Sequence, residues 1–548
     1  MSAGAAAAGG GRSGDRSKAP GKSGGLPRTA GGHSPWAVAM VVALAAFMEV
    51  LDTTIANVAL RYIAGGLAVG PDESSWVVTT YLVANAITLI ASSFLAKRYG
   101  RKLFFMWSVG LFTLSSLACG FAWSLESLLF FRILQGLGGG GMAPLAQSIL
   151  ADSFPPEKRG QAFAVYGIAI VFAPAIGPTL GGWLSDNLSW HWCFLINGPI
   201  GVLSLGLMYW LLEDPDSAVK ERRRLNKLGV RFDVVGFLLV ATFLGSLEVC
   251  LDEGQRKDWF GTSTLMNVAG VMMVVSFVAM IPWNLTRKNP AVDFSLFKQR
   301  QFATCFGIML ATGAILIATT QFIPQIVQDN YGYTATLAGL VLAPGGFVTV
   351  LVTAFNGRVL SPRVQPKWLI LVGSAMMAAG LYNLTWLYGD STFWFFGLSR
   401  IYIGIGIPLT FLSVTSASYE GLKKDQTDQA SALINVARNV GGSLGVSLAQ
   451  NVLAYRGQFH QSRLAESITP TSPGYQETMR QAMQYFTLHG TPGVDAQGQA
   501  TAWIGQQLAS QTTYFAYIDV FWALCLVSAS AVPLALILKP VERGAPAG

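Results

Sequence analysis

Apolar segments of about 20 residues follow one another through most of this chain, and they constrain its fold more than any other feature. Hydrophobic residues make up 52% of the 548 residues and charged residues only 12%, against about 25% charged in a typical soluble domain. So few charges cannot give the chain a water-facing surface. The sequence therefore predicts an all-α membrane protein, in which each spanning helix satisfies its own backbone hydrogen bonds.

About 14 segments are long enough to cross the ~30 Å apolar core of a bilayer. They begin near Pro35, Ser74, Lys102, Ser127, Gln161, Trp192, Arg231, Ser263, Phe302, Thr336, Trp368, Thr392, Ala430 and Tyr514. An even number of spans places both termini on one side. Roughly 28 Lys and Arg fall in the tails and loops of that side, against roughly 6 on the other, so both termini are predicted to be cytoplasmic.

Several functions are disfavoured by the sequence. The formal charge of +8 is spread over the loops of one side, which does not predict a nucleic-acid partner. The five Cys and four His show no metal-ligand spacing. Gly21-Lys22-Ser23 looks like the end of a phosphate-binding loop, but Arg16 stands at the earlier glycine position and no strand precedes it. We predict no enzymatic activity, no cofactor and no bound metal.

A weak internal duplication divides the chain into two halves. An Arg followed by Gly at the fourth and sixth positions occurs at Arg132 and again, 268 residues later, at Arg400. Three small residues spaced four apart begin at Ala173 and again, 264 residues later, at Ala437. These offsets are too long for six helices with short loops, but they fit six helices plus two inserted spans.

The repeat predicts five parts along the chain. They are a disordered cytoplasmic tail (1–34), an N-terminal six-helix bundle (35–212), a cytoplasmic linker with two inserted spans (213–301), a C-terminal six-helix bundle (302–539) and a cytoplasmic tail (540–548). The last bundle includes an outer loop, 455–513, that contains several Pro and Gln. It is long enough for a small exposed subdomain, and we expect it to contact a periplasmic partner.

Charged residues inside spans cost about 2.5 to 3.5 kcal/mol on insertion scales, so each one is a functional hypothesis. The first span contains Glu49 and Asp52, three residues apart on one helical face. A carboxyl group buried in a helix bundle can bind and release a proton near neutral pH, as proton coupling requires. Arg132 in the fourth span is a candidate counter-charge. Purely structural pairing is the alternative for all three residues.

Other polar residues and glycines of the spans suggest a cavity and a moving contact. The predicted substrate-binding residues are Asn57, Gln135, Gln321, Asn435 and Arg438, with helix-to-helix hydrogen bonding as the alternative. The predicted gating or packing residues are Pro174, Gly177, Pro178, Gly181, Gly182, Gly441 and Gly445, because small residues let helices approach closely and proline perturbs a helix. Glu248 lies four residues before a polar turn, and we expect it to snorkel to the interface.

At these residues the sequence resembles the major facilitator superfamily, specifically its drug:proton antiporters with 14 spans, the EmrB/QacA type. The stretch from Leu51 to Leu60 resembles the first-helix motif of that family, whose Asp is implicated in proton coupling; the position is Asp52 here. Arg132 begins a stretch similar to the fourth-helix motif linked to proton transfer. The run from Gly177 to Gly182 resembles the fifth-helix antiporter motif, which is typical of exporters.

The resemblance covers about Ala37 to Lys539, with some departures. Ser93 and Lys97 stand where the family usually has Gly and Asp, and Arg61 stands where Pro is common. The likeness to EmrB-type pumps of double-membraned bacteria implies an EmrA-type membrane fusion protein as periplasmic adaptor, and an outer-membrane channel.

The sequence thus predicts a multi-pass inner-membrane transporter with the major facilitator fold, two six-helix bundles and two inserted helices. The predicted function is proton-driven export of lipophilic drugs or toxic amphiphiles by alternating access. A proton-coupled nutrient importer of the same fold is one alternative. A non-transporting membrane sensor or scaffold is the other.

Overall fold

The computed structural model describes residues 34–154, 156–214, 219, 222–223, 233–261, 263–287, 290–422, 426–489 and 493–539. Every regular element in these ranges is helical, which confirms the predicted all-α class. The N-terminal half contains α1 (Pro35–Leu67), α2 (Pro71–Tyr99), α3 (Arg101–Cys119), α4 (Leu125–Gly139), α5 (Met142–Ser153), α6 (Pro156–Asn187), α7 (Trp192–Leu195) and α8 (Asn197–Leu211). The predicted tails, 1–34 apart from Ser34 and 540–548, and most of the linker lie outside the described residues, so the cytoplasmic position of the termini stays a prediction.

The rest of the chain begins with two helices between the halves, α9 (Val234–Glu253) and α10 (Thr264–Thr286). The C-terminal half contains α11 (Arg300–Asp329), α12 (Ala335–Phe355), α13 (Ser361–Arg363), α14 (Pro366–Leu384), α15 (Phe393–Ser418), α16 (Thr427–Ser467), α17 (Pro473–Leu488) and α18 (Gly493–Ile537). A short 3-10 helix, Phe294–Lys298, precedes α11, and a π-helical turn, Asn356–Leu360, follows α12. We call the end of the bundle where α1 ends and α2 begins the outer end, following the predicted orientation.

Eleven helices of the described residues are long and apolar enough to cross a membrane, or twelve if the two bent segments of α6 form one span. The two remaining predicted spans correspond to α4 with α5 and to α16. The first is interrupted at Gly140 and Gly141, where glycine has low helix propensity. Gly141 packs so closely on α3 that a Cβ there would lie 2.6 Å from Ser108 Oγ. α16 carries too many polar residues to count as an apolar helix.

Helix α6 connects the two halves. It packs along α1 in its own half and along α12 in the other. Gly339 on α12 permits this approach, because a Cβ there would lie 2.6 Å from the backbone nitrogen of Thr179. α6 is bent by 41° between Gly160–Pro174 and Ile176–Asn187, as expected for a helix with internal prolines. The bend lies beside the space between the halves.

The inserted helices differ in their surroundings. α10 packs on α9 and exposes Val271, Val274 and Val278, as expected for a helix that faces lipid. α9 also packs on α2 of the N-terminal half and on α16 of the C-terminal half. The first inserted helix therefore lies against both bundles.

The predicted outer loop, 455–513, is mostly helical. α16 continues to Ser467, α17 follows, and α18 begins at Gly493, well before the span expected near Tyr514. Hydropathy did not reveal these helices because their residues are polar. We call residues 455–513 the outer extension.

Candidate functional site

Asp52 lies in a fully buried ion pair inside the N-terminal half. Arg132 on α4 donates from Nη1 to Asp52 Oδ2 at 2.7 Å, and both side chains are inaccessible to solvent. Gln135 Nε2 donates to Asp52 Oδ1 at 2.8 Å, and Asn197 Nδ2 donates to the same oxygen at 2.7 Å. The carboxylate thus accepts three hydrogen bonds, as a buried charge requires for stability.

The Arg132 guanidinium is held independently of Asp52. Its Nε donates to the carbonyl oxygen of Val77 at 2.9 Å, and its Nη1 also donates to Gln135 Oε1 at 2.8 Å. The guanidinium carbon lies 4.4 Å from the centre of the Tyr81 ring, a cation–π contact. Arg132 would therefore keep its position if Asp52 lost its charge.

A cavity of about 780 Å³ lies between the two halves and extends toward the outer end. Helices α1, α2, α6, α9, α11 and α16 form its walls. Three predicted binding residues line it, Asn57, Gln321 and Arg438, together with Glu49. Tyr81 also lines it, so this ring separates the cavity from Arg132. A volume of this size is typical of sites for drug-sized ligands.

Two predicted binding residues lie elsewhere. Gln135 belongs to the buried ion pair. Asn435 lies toward the inner end, where its Nδ2 donates to Gln147 Oε1 at 3.1 Å. Ser431 and Tyr419 donate to the same oxygen at 3.0 and 3.2 Å. We call Gln147 and its three partners the inner seal, because they join the N-terminal half to the C-terminal half below the cavity.

Glu49 begins a polar chain that crosses between the halves. Asn85 Nδ2 donates to Glu49 Oε1 at 3.3 Å, and Asn439 Nδ2 donates to Asn85 Oδ1 at 3.3 Å. Arg438 donates to Asn439 Oδ1 at 3.2 Å from Nε and from Nη2. Within the described residues, Glu49 Oε2 and Arg438 Nη1 are buried without a hydrogen-bond partner. The cavity therefore presents one carboxylate oxygen and one guanidinium nitrogen with unused capacity.

The predicted gating residues lie at close helix contacts. Gly177 and Gly181 pack on α1, and a Cβ at Gly181 would lie 3.2 Å from Ile55 Cα. Gly441 and Gly445 pack on α11 in the other half, against Leu310 and Ala314 respectively. Pro174 and Pro178 line the cavity, and Gly182 is buried.

The C-terminal half repeats the arginine of the ion pair without the carboxylate. Arg400 donates to Thr319 Oγ1 at 2.6 Å and to Thr320 Oγ1 at 3.1 Å. Thr320 follows Asp52 by 268 residues, the same offset that relates Arg400 to Arg132. At this repeated position, a carboxyl group occurs only in the N-terminal half.

The expectation that Glu248 snorkels to the interface was wrong. Its side chain is only 5% exposed and lines the cavity, and Ser443 Oγ donates to its Oε1 at 2.5 Å. The sequence analysis also missed Asn197 and Gln147. Each is an amide within a largely apolar helix, and that contrast was the available signal.

Comparison with known proteins agrees with this architecture. Residues 42–446 match the family model described as Major Facilitator Superfamily. The chain is 36% identical over 509 residues to the multidrug export protein EmrB of Escherichia coli K12, covering 91% of this chain and 94% of that one. It is 34% identical over 519 residues to the fatty acid resistance protein FarB of Neisseria gonorrhoeae, covering 94% and 98%.

A solved structure supports the fold alone. The human organic anion transporter MFSD10 (TETRAN) superposes with a TM-score of 0.54 at 12% identity, covering 90% of this chain and all of that one.

Proposed function

The chain belongs to the major facilitator superfamily, among the EmrB-type multidrug exporters, and from this premise we propose that it exchanges protons for the drugs it exports. It is a multi-pass protein of the inner membrane and a multidrug transporter. The proton gradient drives transport without a cofactor. The observation that carries the proposal is the fully buried Asp52–Arg132 pair, whose Arg132 packs against the ring of Tyr81, a residue of the cavity wall.

Protonation of Asp52 changes the charge balance of this site. The neutral acid no longer balances Arg132, and a buried charge without its counterion is strongly destabilising. The network that includes Asp52 ties α1 to α4 and α8 within the N-terminal half. We expect this half to rearrange and thereby to change its contacts with the C-terminal half. Glu49 is the second proton-coupling candidate, since it lies on the cavity wall where a bound substrate would compete with a proton.

Alternating access requires a cavity that opens to one side at a time. Here the cavity extends toward the outer end while the inner seal joins the halves below it. In the opposite state, which is open to the inner side, the residues of the inner seal separate. The contacts at the outer end change as well, and one of them is the ion pair between Arg61 Nη2 and Asp329 Oδ1, which lie 3.1 Å apart in this structure. The glycine contacts of α6 with α1 and of α16 with α11 lie within the separate halves, so they hold each bundle together as it moves. The contact of Gly339 with Thr179 joins the two halves, and it is a surface on which they move.

The energy of the gradient is sufficient for export. Moving one charge across 100 mV releases ~2.3 kcal/mol, and each ~1.4 kcal/mol corresponds to a tenfold ratio, so one net charge supports roughly 50-fold accumulation. The substrates are lipophilic drugs or toxic amphiphiles, a class supported by the multidrug and fatty acid resistance names of the relatives.

The outer extension is the proposed contact for a periplasmic adaptor of the EmrA type, which would pass the substrate to an outer-membrane channel. Its helices expose large apolar side chains, including Tyr485 at 58% and Leu488 at 77%. Replacing both with Ser is expected to weaken co-purification with the adaptor and leave transport in proteoliposomes unchanged. Unchanged co-purification would argue against this surface.

The coupling proposal is tested by uptake driven by an imposed pH gradient. Wild type, Asp52→Asn and Asp390→Asn are reconstituted in proteoliposomes, Asp390 being an exposed control in the loop before α15. We expect gradient-driven accumulation of a lipophilic drug in wild type and in the control, and none in Asp52→Asn. Accumulation in Asp52→Asn equal to wild type would refute the role of Asp52.

A further inference from the structure

Helix α9, the first inserted helix, forms part of the cavity wall. It packs on α2 and on α16, which also contact each other, so it lies along the line where these helices of opposite halves meet. Its contribution to the wall includes Glu248 and Asp252. The helix therefore reaches the space in which a substrate would bind.

The Glu248 carboxylate is held in place on this wall. Ser443 on α16 donates to Oε1 at 2.5 Å, which fixes one oxygen against the C-terminal half. The charged group that acts on Glu248 is Asp252, one turn further along α9, and its charge is also negative. Asp252 accepts a hydrogen bond from Thr79 on α2. This part of the wall is therefore acidic and attached to both halves.

Two of the three basic side chains on the cavity wall are paired with carboxylates. Arg61 pairs with Asp329 at 3.1 Å, and Arg256 lies 3.6 Å from Glu253. The third, Arg438, keeps one nitrogen without a partner among the described residues, but it donates to Asn439 on the side of the cavity that holds Glu49.

A second observation points independently to a ligand. Glu49 Oε2, on the same cavity, is buried and has no hydrogen-bond partner among the described residues. A buried acceptor without a partner is costly, and a donor from a bound molecule would satisfy it. The cavity wall is otherwise largely apolar, with Val50, Leu82 and Ile317 among its residues.

We infer that Glu248 binds the positively charged group of lipophilic cations, and that α9 thereby determines substrate specificity. The inference deepens the proposed function and depends on it for the role of the cavity in transport. A lipophilic cation would place its charge against Glu248 and its apolar body against the remaining wall.

Equilibrium binding tests this assignment separately from proton coupling. Binding of radiolabelled tetraphenylphosphonium to the purified full chain in detergent is compared for wild type, Glu248→Gln and Asp233→Asn. Asp233 is the matched control because it is the N-cap residue of the same helix and accepts a hydrogen bond from Trp283 Nε1 at 3.0 Å, but is not part of the cavity wall. Oleate, an anionic amphiphile, serves as the second ligand.

Glu248→Gln is expected to weaken tetraphenylphosphonium binding roughly tenfold, equivalent to about 1.4 kcal/mol. Its affinity for oleate should stay within about twofold of the wild-type affinity, a factor that corresponds to less than about 0.5 kcal/mol. Asp233→Asn should bind both ligands as wild type does. Equal loss of both ligands in Glu248→Gln, unchanged cation binding, or no saturable cation binding to wild type would overturn the assignment. Failure of proton-driven transport with Glu248-dependent binding intact would instead overturn the coupling mechanism.

Discussion

Gln147→Ala should shift the protein away from the outward-open arrangement. The Gln147 side-chain oxygen accepts hydrogen bonds from Tyr419, Ser431 and Asn435, all in the C-terminal half. A net value of about 0.5 to 1.5 kcal/mol per bond, reduced by about a third because three bonds share one acceptor, gives about 1 to 3 kcal/mol in total. If the inner seal exists only in the outward-open state, its loss changes the ratio of the two states by roughly 5-fold to 150-fold.

Distances between spin labels at the outer end report this ratio. Leu188 is exposed after α6 and Gly389 is exposed before α15, so cysteines there place one label on each half. The five native cysteines are all buried, which favours labelling of the introduced ones. We expect Gln147→Ala to move the distance distribution toward shorter values, measured by double electron–electron resonance in nanodiscs.

A matched control separates the seal from general loosening. Gln328 lines the cavity, and among the residues that the structure describes its side chain donates within its own helix, to the Pro324 carbonyl oxygen at 3.1 Å. Gln328→Ala should leave the distribution as in wild type. An unchanged distribution in Gln147→Ala would refute the argument that the inner seal selects the outward-open state.

Two further substitutions test the buried contacts. Arg132→Ala should lower the free energy of unfolding by about 3 to 5 kcal/mol, because it leaves Asp52 charged and buried. Thermal unfolding in detergent measures this loss, and the double variant Arg132→Ala/Asp52→Asn should recover part of it. No recovery in the double variant would contradict the ion-pair argument. Gly445→Ala should lower the melting temperature, because the added Cβ would lie 2.5 Å from the Ala314 carbonyl oxygen. Gly457→Ala on the same helix is the control, because its Cβ would meet no atom within 4 Å. Equal melting temperatures of the two variants would show that α16 can move away from α11 without loss of stability.

Much of this fold could be predicted because hydropathy identifies spans and the repeat identifies halves. The two inserted helices lie where the repeat offset required them, and Asp52 and Arg132, singled out as buried charges, are in contact. A charge inside an apolar span is conspicuous in sequence, and few charged residues of other spans are available to pair with it.

The remaining features depend on which face of a helix a residue occupies. Glu248 was assigned from its depth in the span, whereas its direction toward Ser443 depends on how α9 packs between two other helices. Asn435 was assigned to the cavity because the sequence does not show which side of the bundle a polar residue of a helix faces. It lies in the inner seal. The outer extension was read as a loop because its helices are amphipathic or polar and carry no signal in an average of hydropathy.

The central claim is that Asp52 couples proton movement to drug movement, and simultaneous recording of both fluxes tests it most directly. Proteoliposomes that enclose a pH-sensitive dye are given a fluorescent lipophilic drug with no imposed gradient, so that drug transport itself must move protons. We predict proton movement opposite to the drug in wild type and no drug-induced proton movement in Asp52→Asn. Drug-induced proton movement of equal size in both proteins would contradict the account.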